Sequence, residues 1–208
     1  MTATNLQPCL SFTLTEEGGY QRLSGDPGNW YRGRLIGTNM GISAVTLAAW
    51  LRRGVEISDM RDLTVETASA IYRQNYWQEV RGDTLPSGLD LMGFDYGVNA
   101  GVGASLSALS DSAVAGVAYQ AMNMGRSRLR VLQDRLGVTT DGIYGPITSS
   151  ALAESQPGQQ VARILYVSRL QERRYRSLDG FPQFGAGWLA RLARRQARAL
   201  ELFDGVSA

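Results

Sequence analysis

"LQPCLSFTLTEEGGYQRLSGDPG", residues 6–28, is the stretch from which the rest of the chain can be read. Leu6, Leu10 and Leu14 recur every four residues, the spacing of one helical face. Gly18-Gly19 then stops the helix, so the pattern predicts a helix over about 6–17. Residues 20–42, rich in Gly, Asp, Pro and Asn, read as a long polar loop with room for a short hairpin. The helix ends on two glutamates, Glu16 and Glu17, which face the negative end of the helix dipole. That position disfavours a charged carboxylate and suits a general acid, whose protonated form must persist. An exposed glutamate ahead of a glycine cap accounts for the same position. Adjacent helical residues point about 100° apart, so only one of the pair can face a given cleft.

The helical pattern continues outward from this start, and convincing strand alternation is missing. Ser43 can cap a helix running to Arg53, and Thr64 another running to about Tyr76. "PSGLDLMGFDYGVNAG", residues 86–101, predicts a helix from about Ser87 to Asn99. Further helices are expected at about 103–122, 126–136, 146–155, 158–178 and 186–203, which makes the protein mainly α. Asp95 and Asn99 lie at i, i+4 on an otherwise apolar helix. Both are candidates for one wall of a binding site, and helix packing or capping is an equal alternative for each.

Composition removes whole classes of chemistry. The chain of 208 residues has no histidine, all 21 basic residues are arginine, and there is one cysteine, Cys9. A Ser-His-Asp or Cys-His device, a Schiff-base lysine and histidine or cysteine zinc ligation are therefore excluded. An enzyme built from this inventory works with carboxylates, assisted by Tyr, Thr, Asn or Arg, and no metal or cofactor is expected. Residues 1–100 carry 8 Arg and 11 acids, a net of −3, whereas residues 101–208 carry 13 Arg and 8 acids, a net of +5. The basic half suits an anionic polymer or simply a solvated surface, and no nucleic-acid motif accompanies its arginines. No apolar run reaches the roughly 18–20 residues of a membrane span, so no stable membrane insertion is expected. The first residues show no basic segment followed by an apolar run, and the expectation is cytoplasmic synthesis without a signal peptide.

"EGGY" at 17–20, "DPG" at 26–28 and "TNMGIS" at 38–43 together resemble the N-terminal signature of glycoside hydrolase family 108. "YWQEVRGDTLPSGLDLMGFDYGVNAG", residues 76–101, resembles the family's next segment, with its Phe-Asp and Val-Asn pairs. "LRVLQDRLGVTTDGIYGPITSSAL" at 129–152 and "FGAGWLARL" at 184–192 resemble the peptidoglycan-binding segment that follows. The resemblance implies a lysozyme-like helical catalytic region, residues 1–100, and a small helical peptidoglycan-binding region, residues 101–208. It makes Glu17 the catalytic glutamate, Asp26 the aspartate of the DPG element and Thr38 the threonine beside the Asn39-x-Gly-Ile run. Glu17 and Asp26 are then the catalytic candidates, and Thr38, Asn39, Asp95 and Asn99 the substrate-binding ones. The sequence departs from the family in one place: "NWYRGRLIG", residues 29–37, intervenes where only a few residues usually join DPG to the threonine.

The implied activity is hydrolysis of the β-1,4 bond between N-acetylmuramic acid and N-acetylglucosamine. The chemistry needs one acid for the leaving oxygen and a second group to direct water. Such a protein is expected to be a monomer that meets peptidoglycan glycan strands in the periplasm after holin-dependent release. A lytic transglycosylase and a non-catalytic wall-binding or secretion-accessory protein are the alternatives. Trp30, Tyr31 and Trp77 are candidate stacking residues, with core packing as the rival role. The terminal helix, "GWLARLARRQARALELF", sets apolar residues near one face and Arg191, Arg194, Arg195 and Arg198 largely on the other, a pattern shared by a helix docked on a core, the expected case, and by a membrane-active tail.

Overall fold

The computed structural model describes residues 5–207. The fold is mainly α and lysozyme-like: eleven helices and two small two-stranded sheets among the described residues. Packing divides the chain into two compact units, one ending at Glu79 and the other beginning at Val80.

The first unit opens with α1, Leu6–Glu17, which buries Leu6, Cys9, Leu10 and Thr13 and ends at Gly18 with φ 71°. The polar stretch that follows folds into two tight hairpins. β1 (Trp30–Tyr31) pairs antiparallel with β2 (Arg34–Leu35), and β3 (Thr38–Asn39) with β4 (Ile42–Ser43). Each is closed by two residues of positive φ, Arg32-Gly33 and Met40-Gly41. Two consecutive positive-φ residues match the right-handed twist of the flanking strands, which is why so short a connection works. α2 (Ala44–Leu51) starts at Ser43, whose Oγ accepts from the Thr46 N–H at 3.3 Å. α3 (Ile57–Arg61) is a short helix the periodicity does not show. α4 (Val65–Tyr72) starts at Thr64, whose Oγ1 accepts from the Thr67 N–H. The helix expected to run unbroken to Tyr76 instead rewinds at Arg73: the Gln78 N–H reaches the Arg73 carbonyl, an i→i+5 turn over Arg73–Trp77.

The second unit is built around α5, Leu89–Ala100, buried from Leu89 through Gly97. It packs on α6 (Val102–Val114), α10 (Gln156–Arg176) and α11 (Phe181–Ser207). The expected boundary after residue 100 therefore falls between two helices that pack together, and the compact unit begins earlier, at Val80. A helix this apolar has to be enclosed on most sides, and its partners come from the C-terminal half. The single helix expected over 103–122 breaks into α6 and α7 (Val117–Asn123), because buried Gln120 donates to the Ser112 and Ala115 carbonyls at the end of α6. α8 (Arg126–Arg135) and α9 (Pro146–Glu154) complete the unit.

Candidate active site

The C-terminal end of α1 and the β3–β4 turn bring together the groups that surround Glu17. The Glu17 side chain is half-buried, and its carboxylate lies directly over Gly41. A Cβ at Gly41 would stand 2.6 Å from Glu17 Oε2 and 2.9 Å from Glu17 Cδ, and closer still to the Tyr72 hydroxyl. Only glycine fits there, both for this contact and for φ +70°. Tyr72 is buried, donates its hydroxyl to the Met40 carbonyl at 2.7 Å, and so ties α4 to the same turn. The ring of Tyr76, one turn further on, lies 5.7 Å from that of Tyr72. The Tyr76 phenol is pushed above its ordinary pKa, first by burial and then by the negative charge of Glu17. Gly41, Tyr72 and Tyr76 thus form a socket for one carboxylate.

The chain leaving α1 is bound back to this turn. Gln21 and Thr38 exchange two backbone hydrogen bonds, 2.8 and 2.9 Å, and the Tyr20 hydroxyl donates to the Ile36 carbonyl. Gly37, φ +102°, is where the two segments cross, since a Cβ there would stand 2.6 Å from the Gln21 carbonyl oxygen. The unusual "NWYRGRLIG" segment leaves Thr38 in reach because it closes on itself: the Asn29 carbonyl accepts from both the Ile36 and Gly37 N–H groups. The extra residues are looped out as the β1–β2 hairpin.

The remaining sequence candidates fall in different surroundings. Asp26 is half-buried and caps its own loop, with Oδ1 accepting from the Gly28 N–H at 2.8 Å. Thr38 is buried at the start of β3. Asn39 is also buried and donates its amide to the Met60 carbonyl at 2.7 Å, anchoring the hairpin to α3.

In the second unit, Asp95 is completely enclosed. Its oxygens accept from Arg191 at 2.7 Å and from buried Arg195 at 2.5 Å, and Arg195 also donates to Gln171. Asp95 therefore takes the packing alternative: no part of it is exposed to a sugar. Asn99 is exposed, and its side-chain oxygen accepts from Tyr175 at 2.7 Å. Among the aromatic candidates Trp77 is core, whereas Trp30 is 42% exposed with its indole N–H donated to the Ser24 carbonyl. Tyr31 is half-buried beneath the Arg32 guanidinium.

Sequence reasoning did not find Tyr72, Tyr76 or Gly41. Tyr72 and Tyr76 stand four residues apart at the end of the helix that Thr64 starts, and the Met40-Gly41 pair sits within the signature, but nothing in the sequence reports that these segments meet.

Residues 10–101 match the family model described as Glycosyl hydrolase 108. Over this segment the chain is similar to that family. The matched segment runs from α1 through α5 and includes Glu17 and both hairpins. Across nearly the whole chain the protein is similar to the solved structure of Brucella abortus SagA, with 29% identity, a TM-score of 0.60, and coverage of 96% of this chain and 95% of that one. No curated protein matches it. Among the described residues, no group of three or more His, Cys, Asp or Glu is placed to hold a metal ion, and no helix is long and apolar enough to cross a membrane.

Proposed function

We propose that this glycoside hydrolase is an N-acetylmuramidase that cuts the β-1,4 bond between N-acetylmuramic acid and N-acetylglucosamine in peptidoglycan, with Glu17 as the general acid. The observation that carries this reading is the socket: one half-buried carboxylate held between a glycine turn and two tyrosines, inside the segment that matches the hydrolase family. Glu17 delivers its proton to the leaving glycosidic oxygen. Asp26 is the second carboxylate. Held through Oδ1 by the Gly28 N–H, it has Oδ2 to direct a water at the opposite face of the sugar. Thr38, bound beside the α1 exit, supports that water.

Residues 101–208 serve wall binding in this reading. Their turn over Asp141–Thr148 forms a pocket of about 200 Å³ organised by Gln133, which bonds Asp141, Thr148 and the Gly142 N–H. The enzyme works as a monomer on glycan strands, made in the cytoplasm and admitted to the periplasm through a holin-type pore.

A lytic transglycosylase is favoured by one feature: Asp26 already spends an oxygen on its own loop, and a transglycosylase needs only one acid/base carboxyl. Two measurements test the proposal. Glu17→Gln is expected to keep its fold and lose about 10²–10⁴-fold in turnover on peptidoglycan; retention of more than a tenth of the activity overturns the assignment. Mass spectrometry of the products then separates the two reactions, since hydrolysis leaves a reducing end and transglycosylation an anhydro end lighter by one water.

A further inference from the structure

The groove between α2 and the wide turn at 73–77 has a volume of about 540 Å³ and presents Trp50, Arg52, Gln74 and Asn75. Both of its walls continue the segments that hold Glu17. α2 follows directly from the β3–β4 hairpin that carries Gly41, and Gln74 and Asn75 lie between Tyr72 and Tyr76. The i→i+5 winding of that turn is costly and concentrates at functional positions.

The side chains on the groove are not engaged elsewhere. Its neighbour Arg53 is paired with Asp59 at 2.6 Å, and Arg34 with Glu56 at 2.6 Å. Arg52, by contrast, has no ion pair among the described residues. Its backbone is fixed at φ 53° by closing α2, with its N–H donated to the Ala48 carbonyl, so its side chain starts from a rigid helix end. The carboxamides of Gln74 and Asn75 and the indole N–H of Trp50 likewise have no protein partner among the described residues. Among the described residues no carboxylate lines the groove. Its lining is one free cation, two carboxamides and an aromatic face.

We propose that this groove is a specificity site for an acylamino-sugar chain that carries a carboxylate on a branch. The indole stacks on the apolar face of a pyranose, the carboxamides bond acetamido or hydroxyl groups, and the guanidinium takes the carboxylate in its planar fork. The inference rests on the muramidase reading. In that substrate the carboxylate is either the lactyl acid of the sugar or an acid of the peptide attached to it.

The test uses ¹⁵N-labelled Glu17→Gln protein, which binds without turnover, and follows its few tryptophan indole signals by NMR, the sequence having four tryptophans. Three probes are titrated: chitotetraose, which is neutral; the N-acetylglucosaminyl-N-acetylmuramic acid disaccharide with its free lactyl acid; and the same disaccharide bearing a tetrapeptide. The Trp50 indole is expected to shift with the anionic probes. Adding Arg52→Gln is expected to weaken their binding about fivefold, the scale of a partly exposed charge pair, and to leave chitotetraose affinity as it was. Weakening confined to the tetrapeptide probe assigns the carboxylate to the peptide, and weakening confined to the disaccharide assigns it to the free lactyl acid, which the amide bond to the peptide removes; weakening of both shows that Arg52 takes a carboxylate from either branch. Asn75→Asp, which sets a negative charge on the same wall, is expected to act in the same direction. Equal weakening of all three probes, no weakening of any, or an unmoved Trp50 indole overturns the proposal. Failure of the muramidase reading shows separately, as peptidoglycan from which the parent protein releases no fragments ending in reducing N-acetylmuramic acid.

Discussion

Glu17 and Asp95 are the two carboxylates around which the two units are organised, and they are held in opposite ways. Glu17 stands at a helix end over a glycine turn, half-buried beside two tyrosines, in the unit that folds from short hairpins and short helices. Asp95 stands in mid-helix, wholly enclosed, with an arginine on each oxygen, in the unit made of long helices. A carboxylate that must give and regain a proton needs a neighbourhood that leaves both forms tolerable. One that locks helices together needs full charge compensation, because an unpaired buried charge costs several kcal/mol. The two acids thus differ in enclosure and in charge compensation although both stand beside conspicuous sequence motifs, and the proposed catalytic role falls on the one that is less enclosed.

The largest expected effect on stability breaks the second arrangement. Asp95→Ala leaves Arg195 buried without its carboxylate, and removing one partner of such a pair costs about 3–5 kcal/mol. Thermal or denaturant unfolding of the variant should show that loss. An unfolding midpoint equal to that of the parent would mean that Arg195 is not dependent on Asp95. Glu17→Gln, in contrast, should unfold like the parent while losing its activity.

Gly41→Ala attacks the first arrangement without touching a charge. The added methyl must displace Glu17 or the Tyr72 hydroxyl, at a backbone φ that L side chains rarely adopt. The expected cost is about 1–3 kcal/mol of stability. Turnover should fall at least about tenfold, since small misplacement of a reacting group is expensive. Normal turnover in a fully folded Gly41→Ala protein would show that the socket does not position Glu17.

How far the sequence disclosed this contrast depends on the range of each signal. Helix periodicity, Ser43 and Thr64 as caps, and Gly18 as a stop are local, and they correctly predict α1, α2 and the start of α4. The hairpins were legible only as turn-rich sequence, because two-residue strands carry no alternation to read. Glu17 and Asp26 stand out through motif resemblance, whereas the socket of Tyr72 and Tyr76 depends on a tertiary approach that no local spacing reports. For Asp95 the binding and packing readings stay level in the sequence for the same reason: its arginine partners are 96 and 100 positions away. The break between α6 and α7 rests on one glutamine folding back on carbonyls, again invisible to periodicity.

Asp26 can be dissected more finely, because its loop role and its charge respond to different substitutions. Asparagine caps as well as aspartate, so Asp26→Asn should preserve the turn at Gly28 and change stability by only a few tenths of a kcal/mol. Alanine removes cap and charge together and should cost about 0.5–2 kcal/mol. If the charge directs water, Asp26→Asn alone should lower turnover about tenfold or more. Activity that survives Asn and falls only with Ala would reduce Asp26 to a loop residue and favour the transglycosylase reading.

The last expected effect is read only in acid, and it sharpens the contrast from the architectural side. Glu172 on α10 feels burial first, which pushes its pKa up; bonds from Arg128 and Arg176 and the charges of Arg128 and Arg169 outweigh it and bring the value down to about 2. The folded pKa lies below the ordinary 4.5, so the ionised form is the one the fold favours. Its contribution is therefore complete above about pH 4.5 and is lost as pH falls toward 2. Glu172→Gln should remove that part of the acid dependence, so the variant and the parent should converge in stability as pH drops through this window and diverge above it. A constant difference between them from neutral pH down to pH 2 would mean that the arginine cluster does not hold Glu172 ionised, and that its role in joining α10 to α8 is one of packing alone.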